Sequence, residues 1–114
     1  MDERLRQAYL FDFYGEMLNE HQRQIYEDYI LNDLSLSEIA SEEGISRQAV
    51  QDMVKRCSKK LEDYETKLHL VEKFLKIKGD VEEIDRLVEA YSANKDEAVI
   101  TQIKKISQDV LKNL

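Results

Sequence analysis

Ser35, Gly44 and Ser46 constrain this chain more than any other residues, because of what stands at fixed offsets from them. A serine hydroxyl can cap a helix by accepting the amide three residues on. Glu38 stands at that third position after Ser35 and can return the bond, which makes a capping box. Ile39 and Ala40 then fall on the inner face, and the small Ala40 permits close helix approach. Gly44 follows four residues later, where the chain must reverse and a positive φ costs glycine least. Ile45 plugs the turn and Ser46 caps a second helix. Val50 and Met53 of that helix point back inward at i and i+3. The stretch from Leu34 to Met53 therefore reads as helix, tight turn, helix, an arrangement able to present its second helix to a nucleic-acid groove.

That second helix leaves Arg47, Gln48, Gln51, Asp52, Lys55 and Arg56 facing outward or near its edge. Arg and Gln can bond guanine and adenine edges with two hydrogen bonds each. The candidate nucleic-acid-binding set is Arg47, Gln48 and Gln51 near bases, with Lys55, Arg56 and Lys59 on phosphates. Charge complicates the picture. The whole chain carries −7, and residues 1–66 hold 8 Lys/Arg against 15 Asp/Glu, while residues 67–114 balance at 9 and 9. From Ser46 to Lys60, however, five Lys/Arg face Asp52 alone, a local +4. A basic helix on an acidic body can meet phosphates, but long-range steering opposes approach to a polyanion. Weak or assisted binding to DNA or RNA is the expectation. The alternative is a polar helix face retained for protein contacts.

The rest of the chain reads as all-α. It has no proline and three glycines, with 36% charged and 42% hydrophobic residues. Leu10, Phe13, Tyr14, Met17 and Leu18 form a helical stripe within a first segment spanning Leu5 to Leu18, with Gly15 a mild cost. Asn19, with Gln22 at the third position, caps a second helix that carries Ile25, Tyr26, Tyr29 and Ile30. From Val50 to Leu75 the apolar positions recur every three or four residues without Pro or Gly before Gly79. Unbroken from Arg47 to Lys78, such a helix is about 48 Å long. Gly79 and Asp80 mark a stop and a new start, and Asn94 with Glu97 begins a last helix bearing Val99, Ile103, Ile106, Val110 and Leu114. The expected organisation is a helix-turn-helix domain over residues 1–66 and a C-terminal helical hairpin over 67–114 that packs on the long helix. The same stripe also suits an intermolecular coiled coil, and a homodimer is expected.

Other chemistry finds little support. His21 and His69 have no cysteine or carboxylate at ligand spacing, so no metal site and no cofactor are expected. Cys57 lies on the apolar stripe as a packing residue, and a lone cysteine suits a reducing, cytoplasmic setting. The aromatic residues from Tyr9 to Tyr14 read as core. No phosphate loop or nucleophile motif is present, so the chain does not read as an enzyme. No apolar run approaches the roughly 20 residues of a membrane span, and the opening MDERLRQAYL lacks an export signal's apolar core.

Residues Leu18 to Leu61 resemble the fourth region of bacterial sigma factors, which reads the −35 promoter element. The likeness rests on HQRQIYEDYILNDLSLSEIA, the Gly44-Ile45-Ser46-Arg47 turn and the basic stretch from Lys55 to Lys60. The chain as a whole resembles the YlxM family of small bacterial helix-turn-helix proteins, through LFDFYGEML (Leu10 to Leu18), SLSEIA and SRQAV. Genes of that family lie beside the gene for the signal recognition particle GTPase. The resemblance thus implies a regulatory part in that pathway, with components of the particle as partners. Two positions depart from sigma-type motifs. Glu43 stands before the turn glycine where a large apolar residue is usual, and Asp52 puts an acid on the recognition helix.

Overall fold

A computed structural model describes residues 1–114 as six α-helices and one 3-10 turn, with no strand. The helices are α1 (Glu3–Tyr14), α2 (Glu20–Ile30), α3 (Leu36–Glu43), α4 (Arg47–Leu68), α5 (Leu70–Asn94) and α6 (Ala98–Lys112), with the 3-10 turn at Gly15–Met17. Two compact units divide the chain, Met1–Val71 and Glu72–Leu114.

In the first unit, side chains written into the sequence fix where each helix begins. Asn19 and Gln22 form a reciprocal capping box on α2, and Ser35 and Glu38 form another on α3. Helix α4 packs against α1, α2 and α3. Its Val50, Val54, Cys57 and Leu61 are buried together with Leu10, Ile25, Tyr26 and Ile39. Burying each such aliphatic side chain contributes roughly 1.5–3 kcal/mol, which makes this helix the spine of the unit. Polar clasps fix its register. Arg6 grips Glu62 through two bonds of 3.0 and 2.8 Å, and the Tyr26 hydroxyl meets Ser58 Oγ at 2.9 Å. Phe11 lies so close to Gly15 that a Cβ there would stand 3.0 Å from its ring. α1 ends at Tyr14, and the 3-10 turn at Gly15–Met17 carries the chain on to Leu18, the expected end of the helix.

The long helix is broken, contrary to the reading from Arg47 to Lys78. α4 stops at Leu68, and His69 adopts a left-handed conformation (φ 56°) before α5 begins at Leu70. In an uninterrupted helix the Leu70 and Val71 amides would bond to the carbonyls of Thr66 and Lys67. Side chains take them instead. Leu70 N–H donates to the Tyr14 hydroxyl at 3.2 Å and Val71 N–H to the Glu65 carboxylate at 3.0 Å, while Tyr14 donates to that carboxylate at 2.6 Å. A left-handed L-residue costs on the order of 1–2 kcal/mol, and these three bonds offset it. The stripe divides accordingly, so that Leu61 is buried while Leu68 is about half exposed.

A second correction concerns Gly79 and Asp80, which neither end nor start a helix. α5 runs through both to Asn94. A single interior glycine costs about 1 kcal/mol, and no proline compounds it. Asp80 faces Lys76 one turn back, at 3.6 Å, rather than capping a new helix. The last helix also starts later than expected. Lys95 is left-handed, Asn94 accepts the Asp96 amide, and the Asp96 carboxylate, not Asn94, receives the Ala98 N–H.

Within the second unit Lys76 also bonds Asp109 at 2.7 Å and so ties α5 to α6. The contact raises the Lys76 pKa and lowers that of Asp109. Val99 is the unit's one buried apolar side chain. Leu75, Ile84, Leu87, Ile103 and Ile106 are half-buried.

Candidate nucleic-acid interface

The turn between α3 and α4 is built as its residues dictate. Gly44 takes the left-handed conformation (φ 67°, ψ 31°), and its amide and that of Ile45 both donate to the Ala40 carbonyl. A Cβ on Gly44 would meet nothing within 4 Å, so backbone conformation rather than space requires glycine here. Ser46 Oγ accepts the Ala49 amide at 3.0 Å and starts α4. Val50 is fully buried and Met53 partly so. Glu43, the acid in the usual apolar position, is accommodated at the edge, where its carboxylate lies 3.2 Å from His21 Nε2.

The buried stripe of α4 orients its outer face. At about 100° per residue, Gln48, Asp52, Lys55, Arg56 and Lys59 lie within about 50° of the direction opposite that stripe. Arg47, Gln48, Lys55, Arg56 and Lys59 are exposed, and Gln51 is half-buried on one flank with Arg47. Two of the six are engaged along the helix. The Gln48 amide donates to Asp52 at 3.0 Å, and Lys59 pairs with Asp63 at 3.1 Å. Arg47, Lys55 and Arg56 project their charges into solvent from α4.

Several structural roles in this unit go beyond what apolar spacing reveals. Glu65, 6% exposed, accepts from Tyr14 and from the Val71 amide. Its signal was a carboxylate four residues after Leu61 on the buried stripe. Burial, followed by the Glu65 bond, raises the Tyr14 hydroxyl pKa, and burial raises that of Tyr26. Cys57 is buried among apolar neighbours, and desolvation pushes its thiol up despite nearby Lys60 and Arg56, a packing environment rather than an activating one.

A family model described as "Putative helix-turn-helix protein, YlxM / p13 like" matches residues 1–106. The chain belongs to this family, UPF0122. A UPF0122 protein of Shouchella clausii is 54% identical over 74 residues, which is 65% of this chain and 68% of the relative. Another, from Clostridium kluyveri, is 41% identical over 104 residues, covering 91% and 94% of the two chains. A third, from Bacillus thuringiensis, is 38% identical over 112 residues, covering 98% and 97%. The UPF0122 match takes in α1 to α5 and ends within α6, so the family extends beyond the helix-turn-helix. No helix is long and apolar enough to cross a membrane.

Proposed function

We propose that this chain is a regulatory, non-catalytic protein of the cytoplasm that binds DNA or RNA with α4, in the manner of sigma region 4. The carrying observation is the outer strip of α4, where Lys55, Arg56 and Lys59 stand against Asp52 alone, with Arg47 exposed on its flank. From Arg47 to Lys59 the strip runs about 18 Å along the axis, longer than the roughly 12 Å width of a major groove. The amino-terminal end therefore enters the groove and the carboxyl-terminal end meets its walls. Arg47 and Gln51 read bases, with Gln48 joining once it exchanges its bond to Asp52. Lys55, Arg56 and Lys59 neutralise phosphates. Arg47→Ala with Gln51→Ala should level the preference among duplexes in a selection experiment while lowering affinity for random duplex by only about threefold. An unchanged preference would remove these two residues from base readout.

A second reading is supported by the −8 charge of residues 1–46, which hold three arginines against eleven acids. Here the acidic body engages the signal recognition particle, either its GTPase or the ribonucleoprotein. If the GTPase stays bound after nuclease treatment of the co-purified complex, protein contacts carry that association. If it is lost, RNA does. A homodimer through the end of α4 and the C-terminal helices is supported by Leu68, Val81, Val88, Ile100 and Leu111, all about half exposed or more. Light scattering should then give twice the 13.5 kDa chain mass, and Leu68→Glu with Leu75→Glu should release monomer. A particle of single-chain mass for the unmodified protein at tens of micromolar would rule the dimer out.

A further inference from the structure

We infer that the outer groove between α1 and α2 is a docking site for a basic amphipathic helix of another protein. The groove encloses about 630 Å³, within the approximate 300–1,000 Å³ range of ligand clefts. One of its sides is formed by Leu5, Tyr9 and Asp12, at helical spacing on the side of α1 away from Leu10 and Tyr14, and by Glu16 of the 3-10 turn that follows. Its α2 side is Arg23, Glu27 and Leu31, each four residues from the next. Leu5 and Leu31 are 48% and 51% exposed, so the groove carries apolar side chains that the chain leaves half uncovered. An apolar floor with polar edges is what a helix in a groove requires of its receptor, with anchors at i, i+3 or i+4, and i+7.

Charge decides which helix. The rim offers Asp12, Glu16 and Glu27 against Arg23 alone. The other two cations of residues 1–46 are committed elsewhere: Arg4 to Asp33 and the Tyr29 carbonyl, Arg6 to Glu62. A nucleic acid or an anionic lipid surface is repelled here, whereas lysines or arginines flanking an apolar stripe meet three carboxylates. Of the chain's own helices with net positive charge, α4 buries Val50, Val54, Cys57 and Leu61, and α6 keeps Val99 buried and Ile103 and Ile106 half-buried, so both apolar stripes are already engaged. The occupant is therefore a different protein. This site is independent of the α4 strip, and one chain would hold a polyanion by its basic helix and a basic partner by its acidic groove.

The test uses the full chain and a synthetic Leu/Lys peptide of about 18 residues with its leucines on one helical face. The comparator is an isomer of equal composition whose leucines are dispersed. Fluorescence anisotropy at physiological salt should show the segregated peptide binding about tenfold more tightly than its isomer, because the isomer keeps the charge and loses the anchors. Asp12→Lys with Glu27→Lys should weaken that binding by about tenfold. Amide shift changes should centre on Ala8, Asp12, Glu27 and Leu31. Equal binding of the two isomers, shifts centred on another face, or undiminished affinity in the folded double variant would overturn the site. Loss of self-association in the double variant would also overturn it, by naming a second copy as occupant. Should the double variant fail to fold, the isomer comparison and the shift map decide alone.

Discussion

Replacing Tyr14 by Phe tests what ends α4 and starts α5. The Tyr14 hydroxyl is donor to Glu65 at 2.6 Å and acceptor from Leu70 N–H at 3.2 Å, in a residue that is 2% exposed. A hydrogen bond to a charged group contributes about 1.5–3 kcal/mol net. Glu65 is 6% exposed, so little water can replace the lost donor, and the value should fall near the middle of that range. Leu70 is 44% exposed, and solvent can reach its amide more readily, so its loss adds only a few tenths. Tyr14→Phe should therefore destabilise the fold by about 2 kcal/mol, lowering the melting temperature by about 10 °C. Glu65→Gln keeps an acceptor and loses the charge, and should cost about 1 kcal/mol. Tyr64 stacks on Tyr14 with ring centroids 5.9 Å apart. Tyr64→Phe keeps that ring and should change stability by less than about 0.5 kcal/mol. Urea unfolding followed by far-ultraviolet circular dichroism gives these values, and hydrogen exchange should quicken at the Leu70 and Val71 amides in Tyr14→Phe. If Tyr14→Phe matches Tyr64→Phe and both amides stay protected, the junction is not held by this cluster.

Gly79 lies inside α5, and a Cβ added there would meet nothing within 4 Å, so Gly79→Ala should stabilise the protein by about 1 kcal/mol in thermal unfolding. A loss of stability would instead return Gly79 to the role of helix stop. Gly44→Ala should destabilise by about 1–2 kcal/mol, because its φ of 67° is strained for any L side chain; an unchanged midpoint would mean the turn relaxes freely. Alkaline titration should show Tyr14 and Tyr26 ionising late, since both folded pKa values lie above the ordinary value of 10. Their contribution to stability is whole below about pH 10 and is lost as pH rises through the folded values. Complete phenolate formation near pH 10 with helicity intact would contradict the burial of those two hydroxyls.

The helix starts were readable because they are local. Asn19, Ser35, Gly44 and Ser46 act over three or four residues, and all four do in the fold what their spacing announces. Val50, Val54, Cys57 and Leu61 followed from periodicity for the same reason. The break at His69 was not readable, because its cause lies 55 residues away in Tyr14. A spacing rule sees neither that hydroxyl nor the turn of Glu65 toward Val71. Gly79 erred the other way. Glycine permits a break without compelling one, and the apolar positions on either side of it keep α5 in register. On α4, the exposure of Arg47, Gln48, Lys55, Arg56 and Lys59 could be inferred from the sequence, but the half-burial of Gln51 and the bonds that engage Gln48 with Asp52 and Lys59 with Asp63 depend on packing and rotamers.

Binding of the full chain to a short random-sequence duplex, followed by fluorescence anisotropy from low to physiological salt, tests the role of α4 most directly. Binding should be detectable below about 100 μM at low salt, and should weaken steeply as salt rises, because each neutralised phosphate adds about −0.9 to the logarithmic salt slope. Lys55→Ala should make that slope shallower by about 1 while leaving the fold intact. No binding to DNA or RNA up to about 100 μM at low salt, or a slope that Lys55→Ala, Arg56→Ala and Lys59→Ala together leave unchanged, would contradict α4 as a nucleic-acid-binding helix.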